Sequence, residues 1–163
     1  MAGLMETLLA RVDGEIELYD ELLTLSGEKK DVIVNNDVKR LQEINARENL
    51  AVGRLQKSGR LREDAMKEIS AVLNIGGEAT LTALAEFLAD KPDGQALDAR
   101  IVRIKDKLTK LKALNAVNKS LLENALDYVD FSMNLIRNSA GGAVYDGAGN
   151  EIGENRTFFD ARQ

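Results

Sequence analysis

Residues 95–137, QALDARIVRIKDKLTKLKALNAVNKSLLENALDYVDFSMNLIR, carry the reading that decides the fold. Leu97, Ile101, Ile104, Leu108, Leu111, Asn115, Asn118, Leu122, Ala125, Val129, Ser132 and Ile136 follow one another in unbroken steps of three and four. That is the seam of a long helix packed nearly side by side with others. Half way along, the seam changes character. Its early flanks are Asp98, Arg100, Lys105, Lys107 and Lys112; from Leu114 on they are Leu114, Leu121, Leu126, Tyr128, Met133 and Leu135, with Lys119 the only charge and Phe131 further round. The apolar stripe thus widens from about two positions per heptad to about four.

Working outward, Lys91-Pro92-Asp93-Gly94 reads as a turn, and residues 80–89 as a short helix with Leu81, Leu84, Ala85 and Leu88 apolar. Asn74-Ile75-Gly76-Gly77 ends a second long helix, residues 38–73, through the left-handed geometry available to glycine. The seam of that helix is Val38, Leu41, Asn45, Glu48, Val52, Leu55, Gly59, Arg62, Met66, Ile69 and Leu73, flanked by Ile44, Ala51, Ala65 and Val72. Glu48 and Arg62 are expected to reach past it into water. A first helix, about residues 4–33, shows Leu9, Val12, Ile16, Tyr19 and Leu23 before turning polar at Ser26 and Lys30. Asn36 or Asp37 can cap the second helix, and so short a link makes the first two helices antiparallel.

The expected fold is therefore all-α. It is an elongated antiparallel three-helix bundle or coiled coil over residues 1–137, with a short extra helix between the second and third long ones. Residues 138–163, with five of the chain's 13 glycines in 26 residues, form a flexible C-terminal tail. Composition agrees: aromatic content is 4% and Pro92 is the single proline, poor material for a β-sandwich.

Composition also narrows function. With no cysteine and no histidine, thiolate metal sites, cysteine nucleophiles and the serine–histidine–aspartate triad are excluded. Carboxylates near Glu48 are the enzymatic alternative, but the nitrogen ligands of a typical bundle metal site are missing, so no enzyme activity, metal or cofactor is expected. Gly147-Ala148-Gly149-Asn150-Glu151-Ile152-Gly153 trails a helix instead of joining strand to helix, and reads as a turn and not a phosphate loop. The 22 Lys+Arg against 27 Asp+Glu give a net charge of −5, no field for nucleic acid. Apolar runs are too short for membrane insertion, and the opening Met-Ala-Gly-Leu-Met-Glu lacks the pattern of a secretory signal. A cytoplasmic location is expected.

The wide face of the third helix meets the polar part of the first two at the hairpin end, near Asn45 and Glu48. It reads as a protein-binding surface. Two alternatives stand beside it: the first helix rotates Leu22 and Leu25 onto this face as ordinary core, or two copies homodimerise through it as a structural coiled-coil assembly subunit. Asn115 and Asn118 either fix helix register, as buried asparagines do, or hydrogen-bond to a substrate backbone.

In order along the chain, several pieces resemble the FlgN-type flagellar export chaperones. They are residues 18–30, LYDELLTLSGEKK; the Asn35-Asn36-Asp37 break; the Leu81-Thr82-Ala83-Leu84 element; NAVNKSLL at 115–122 continuing to YVDFSMNLI at 128–136; Tyr145-Asp146-Gly147-Ala148-Gly149; and Phe158-Phe159-Asp160-Ala161-Arg162. The resemblance implies a cytoplasmic, non-enzymatic monomer or weak homodimer. It would bind the hook–filament junction proteins FlgK and FlgL and deliver them to the type III export gate. It places substrate binding in the carboxy-terminal part, here Leu121, Leu122, Ala125, Leu126, Tyr128, Val129, Met133 and Ile136. Docking to the gate component FlhA falls on Tyr145, with Tyr128 as rival. Phe158 and Phe159 are candidate plugs that cover the groove in the free chain. If they do, deleting residues 138–163 raises substrate affinity and the binding of a dye to exposed apolar surface; unchanged values count against plugging.

Overall fold

The computed structural model describes residues 2–76 and 80–140. Four helices follow in order: α1 (Ala2–Val34), α2 (Val38–Leu73), α3 (Leu81–Phe87) and α4 (Pro92–Ala140), with no strand among the described residues. By packing, the described residues up to Lys119 form one unit and those from Ser120 on a second.

The links in the first unit are tight. Asn36 takes a positive φ of 56°, and Asp37 caps α2 by accepting a hydrogen bond from the backbone N–H of Arg40 at 3.0 Å. Asn74, with φ 58°, supplies the left-handed residue that ends α2, a role the sequence reading assigned to the glycines after it. Asparagine tolerates this geometry because its short polar side chain can bond locally. Thr80 caps α3 by accepting from the N–H of Ala83. Pro92 does not belong to a turn before α4: it opens the helix, which starts three residues earlier than expected and runs to Ala140 instead of ending near residue 137. Proline at a first helical position has its φ preset and gives up an N–H that would be unpaired anyway.

Polar pairs establish the helix directions in the first unit. On α1 and α2, Glu15–Arg62, Glu21–Arg54 and Lys29–Glu48 pair with rising number on one side and falling number on the other. On α1 and α4, Asp13–Arg100, Asp20–Lys107 and Ser26–Asn118 rise together. Helix α1 is thus antiparallel to α2 and parallel to α4, as an up–down–up bundle requires.

One core cluster joins Met5, Leu8, Val12 and Ile16 of α1 to Ala65, Met66 and Ile69 of α2, Leu84, Ala85 and Leu88 of the short element, and Leu97 and Ile101 of α4. Toward the α1–α2 hairpin, burial continues through Leu18, Leu22, Leu25, Ile33, Ile44 and Ala51. The buried positions of α1, from Leu25 round to Ile16, span roughly 180° at about 100° per residue. That arc follows from having α2 and α4 as neighbours; it takes in Leu22 and Leu25, which are buried, while Leu9 lies beyond its edge and is only partly so.

Helix α2 is turned by one residue from its expected seam. The turn holds over the first half, where Ile44 and Ala51 of the flanking stripe point inward and Val38 and Val52 of the expected seam are exposed; further on, the seam residues Met66 and Ile69 are buried together with Ala65, and Val72 of the flanking stripe is exposed. Burying Asn45 and Glu48 would have left polar groups short of partners; the rotation keeps Asn45 exposed and leaves Glu48 where Lys29 reaches it at 2.8 Å.

A Cβ added at Gly53 meets nothing within 4 Å, whereas one at Gly94 would lie 2.0 Å from the Leu88 carbonyl oxygen. Gly53→Ala should therefore stabilise the chain by about 0.5–1 kcal/mol. Gly94→Ala should destabilise it by more than that, since the Leu88 backbone has to move. Chemical denaturation followed by circular dichroism measures both.

Candidate functional site

The substitution of polar for apolar residues along α4 has a local cause in the first unit. Ser26 is fully buried and Asn118 is 4% exposed. The Asn118 side-chain amide donates to the Ser26 carbonyl at 2.8 Å and to its hydroxyl at 3.1 Å, and that hydroxyl lies 3.1 Å from Asn115 Oδ1. Asn118 Oδ1 itself is buried without a hydrogen-bond partner among the described residues. The polar stretch of α1 thus receives asparagines, not leucines. Of the two roles open to Asn115 and Asn118, this geometry is the register-setting one, since a slip of one residue would strand buried polar groups.

Glu48 and Arg62 do not reach into water either. Arg62 Nε donates to Glu15 Oε1 at 2.9 Å, with the Glu15 side chain 5% exposed, and Glu48 is held by Lys29. Removing Arg62 would leave an unpaired buried carboxylate, a loss of roughly 3–5 kcal/mol. Among the described residues no group of His, Cys, Asp and Glu is placed to hold a metal ion.

The second unit, by itself, presents the residues expected to bind substrate. Residues 120–140 are helical. Not one of Leu121, Leu122, Ala125, Leu126, Tyr128, Val129, Met133 and Ile136 is buried: Leu121, Leu122, Ala125 and Met133 are half-buried, and the other four are exposed, Tyr128 to 71%. At about 100° per residue they share one arc of roughly 160°. Leu135 and Phe131, 52% and 60% exposed, extend the arc on the Tyr128 side; neither belongs to the expected set, although both stood in the widened stripe. Glu123, Asp127, Asp130 and Asn134 occupy the opposite side by the same spacing. The result is a half-apolar, half-acidic helix whose apolar side chains keep much of their surface in water. Leu126 alone is 64% exposed, and covering a leucine-sized side chain is worth roughly 1.5–3 kcal/mol, so the face favours acquiring a cover. Tyr145, Phe158 and Phe159 lie outside the described residues.

Among the described residues no helix is long and apolar enough to cross a membrane. A family model described as "FlgN protein" matches residues 1–152 of the chain. No curated protein and no solved structure matches it. The chain belongs to the FlgN family, a family of flagellar export chaperones and not of enzymes.

Tyr19 shows the electrostatics of the first unit's interior. Burial, with the Glu15 carboxylate adding to it and Arg62 opposing, raises its phenol above the ordinary 10.0. The folded protein therefore holds this proton more tightly than the unfolded chain, and stability must fall as pH rises past about 10. In a Tyr19→Phe variant that alkaline loss should be shallower, which urea titrations between about pH 9 and 11 would measure.

Proposed function

We propose that this member of the FlgN family captures the hook–filament junction proteins FlgK and FlgL on the apolar arc of residues 121–136 and hands them to the export gate. The observation that supports this reading is the exposure of Leu126, Tyr128, Val129 and Ile136 on one helix face in a chaperone family. An amphipathic end of the substrate docks there as a helix. Its own apolar side is then hidden from self-association until release. Ordering the incoming segment offsets part of the gain from burial, which leaves a moderate affinity suited to a carrier that must let go. Gate docking through FlhA is assigned to Tyr145, with Tyr128 as the alternative.

Calorimetric titration with the carboxy-terminal segment of a FlgK-type protein tests this, with a Leu122→Asp/Val129→Asp variant beside the parent. Binding by the parent, weakened at least 100-fold in a variant of unchanged helicity, is the expected result, because two charges would enter an apolar interface. Equal binding by both moves the site elsewhere. No binding by either, with a stable dimer in sedimentation, makes the face a homodimer contact.

A further inference from the structure

A second stripe with the spacing of a helix–helix seam runs along one flank of α2. Arg47, Leu50, Arg54, Lys57 and Leu61 follow one another in steps of three and four, and each of them is exposed. Leu50 is 70% and Leu61 44% exposed. In the core-facing positions of α2 the same rhythm buries side chains; here Leu50 and Leu61 stay exposed, with Glu21 of α1 reaching only Arg54 and Arg11 donating to the Leu61 carbonyl.

The stripe is also a local reversal of charge. The chain carries a net charge of −5, yet between Ile44 and Arg62 the acidic residue of α2 is Glu48, against Arg47, Arg54, Lys57, Arg60 and Arg62. Glu48 is taken by Lys29, Arg62 by Glu15, and Arg54 lies 3.4 Å from Glu21 at the edge of α1. Arg47, Lys57 and Arg60 form no ion pair with the described residues. Glu43 and Asp64 bound the stripe.

We infer that this face of α2 is a second docking surface, for an acidic amphipathic helix of a partner protein. Such a helix places its apolar residues against Leu50 and Leu61 and its carboxylates beside Arg47, Arg54 and Lys57. Charge complementarity selects the acidic partner, and the alternation of three and four selects a helix. A phosphate backbone would satisfy the cations but leave both leucines uncovered, and the stripe has no aromatic side chain for a base to stack on. The surface is separate from the arc of residues 121–136, whose polar side is acidic and repels such a partner, so the inference stands or falls independently of the substrate reading.

The probe is a fluorescein-labelled three-heptad peptide with leucine at the two core positions and glutamate at the flanking ones, its lysine counterpart serving as control. Fluorescence anisotropy with the full chain carrying Leu122→Asp/Val129→Asp, so that the lysine peptide has no acidic-sided apolar arc to bind, should show the acidic peptide binding at least 10-fold more tightly than the lysine one, with affinity falling several-fold as salt rises from about 0.05 to 0.3 M. Arg47→Glu/Lys57→Glu, which removes no ion pair of the fold, should reverse the preference. Leu50→Ser/Leu61→Ser should weaken both peptides, and Leu122→Asp/Val129→Asp should leave acidic-peptide binding unchanged. Equal affinity for the two peptides overturns the proposal, as does a preference that survives the charge reversal. So does a 20-base-pair DNA duplex bound more tightly than the acidic peptide, or a dimer of the chain that closes the stripe and excludes the peptide.

Discussion

Ser26 and Asn118 have no water to turn to, and their mutual hydrogen bonds fix how α1 and α4 slide past each other. Apolar seams are permissive, because a leucine displaced by one turn still meets other apolar side chains. Buried polar atoms are not. The two bonds between Arg100 and Asp13, at 2.8 and 2.7 Å, repeat the same register near the other end of the contact. Both of those side chains are partly exposed, so they add direction more than stability. With α1 held by α4 on one side and by Glu15–Arg62 and Lys29–Glu48 on the other, every other core position has its place assigned.

How much of this was readable without coordinates depended on whether a signal was local. The limits of α2, Val38–Leu73, follow from the asparagine–aspartate break before it and the Asn-Ile-Gly-Gly string after it, and the structure agrees to the residue, with Asn74 and not a glycine in the left-handed position. Which side of α2 faces inward is not local. The stripe through Asn45 and Glu48 and the one through Ile44 and Ala51 differ by a single residue, and only the presence of partners for Glu48 and Arg62 on α1 decides between them. Pro92 was misread for a similar reason: a Lys-Pro-Asp-Gly string has the composition of a turn, and proline at the first position of a helix uses the same preset φ. What marks it as helix is the bond that the Gln95 N–H donates to the Lys91 carbonyl at 3.2 Å, invisible in a string.

On the acceptor side of the molecule's chemistry, the widening of the apolar stripe beyond Leu114 was legible because composition changes over several turns. That Asn115 and Asn118 interrupt it was equally visible, but their partner, eighty-nine and ninety-two residues away at Ser26, was legible only as a polar anomaly on each of two helices. Phe131 and Leu135 were passed over because they stand at the margin of the seam, and margin positions count as surface when a helix has neighbours and as interface when it has none.

Helix α4 is one helix with two opening free energies. Up to Lys119 the helix is tied to the rest of the first unit by the buried side chains of Leu97, Ile101 and Asn118, so its amides open against that packing. From Ser120 on, not one of the described side chains is buried, the most covered being half-buried, so the backbone bonds there have less packing to hold them closed. Amide exchange along a single element should therefore step from slow to fast within about one turn. A partner that binds only the helical form adds its own binding free energy to the fast side. If the proposed arc carries the substrate, loading shows as protection gained by the amides of residues 120–140.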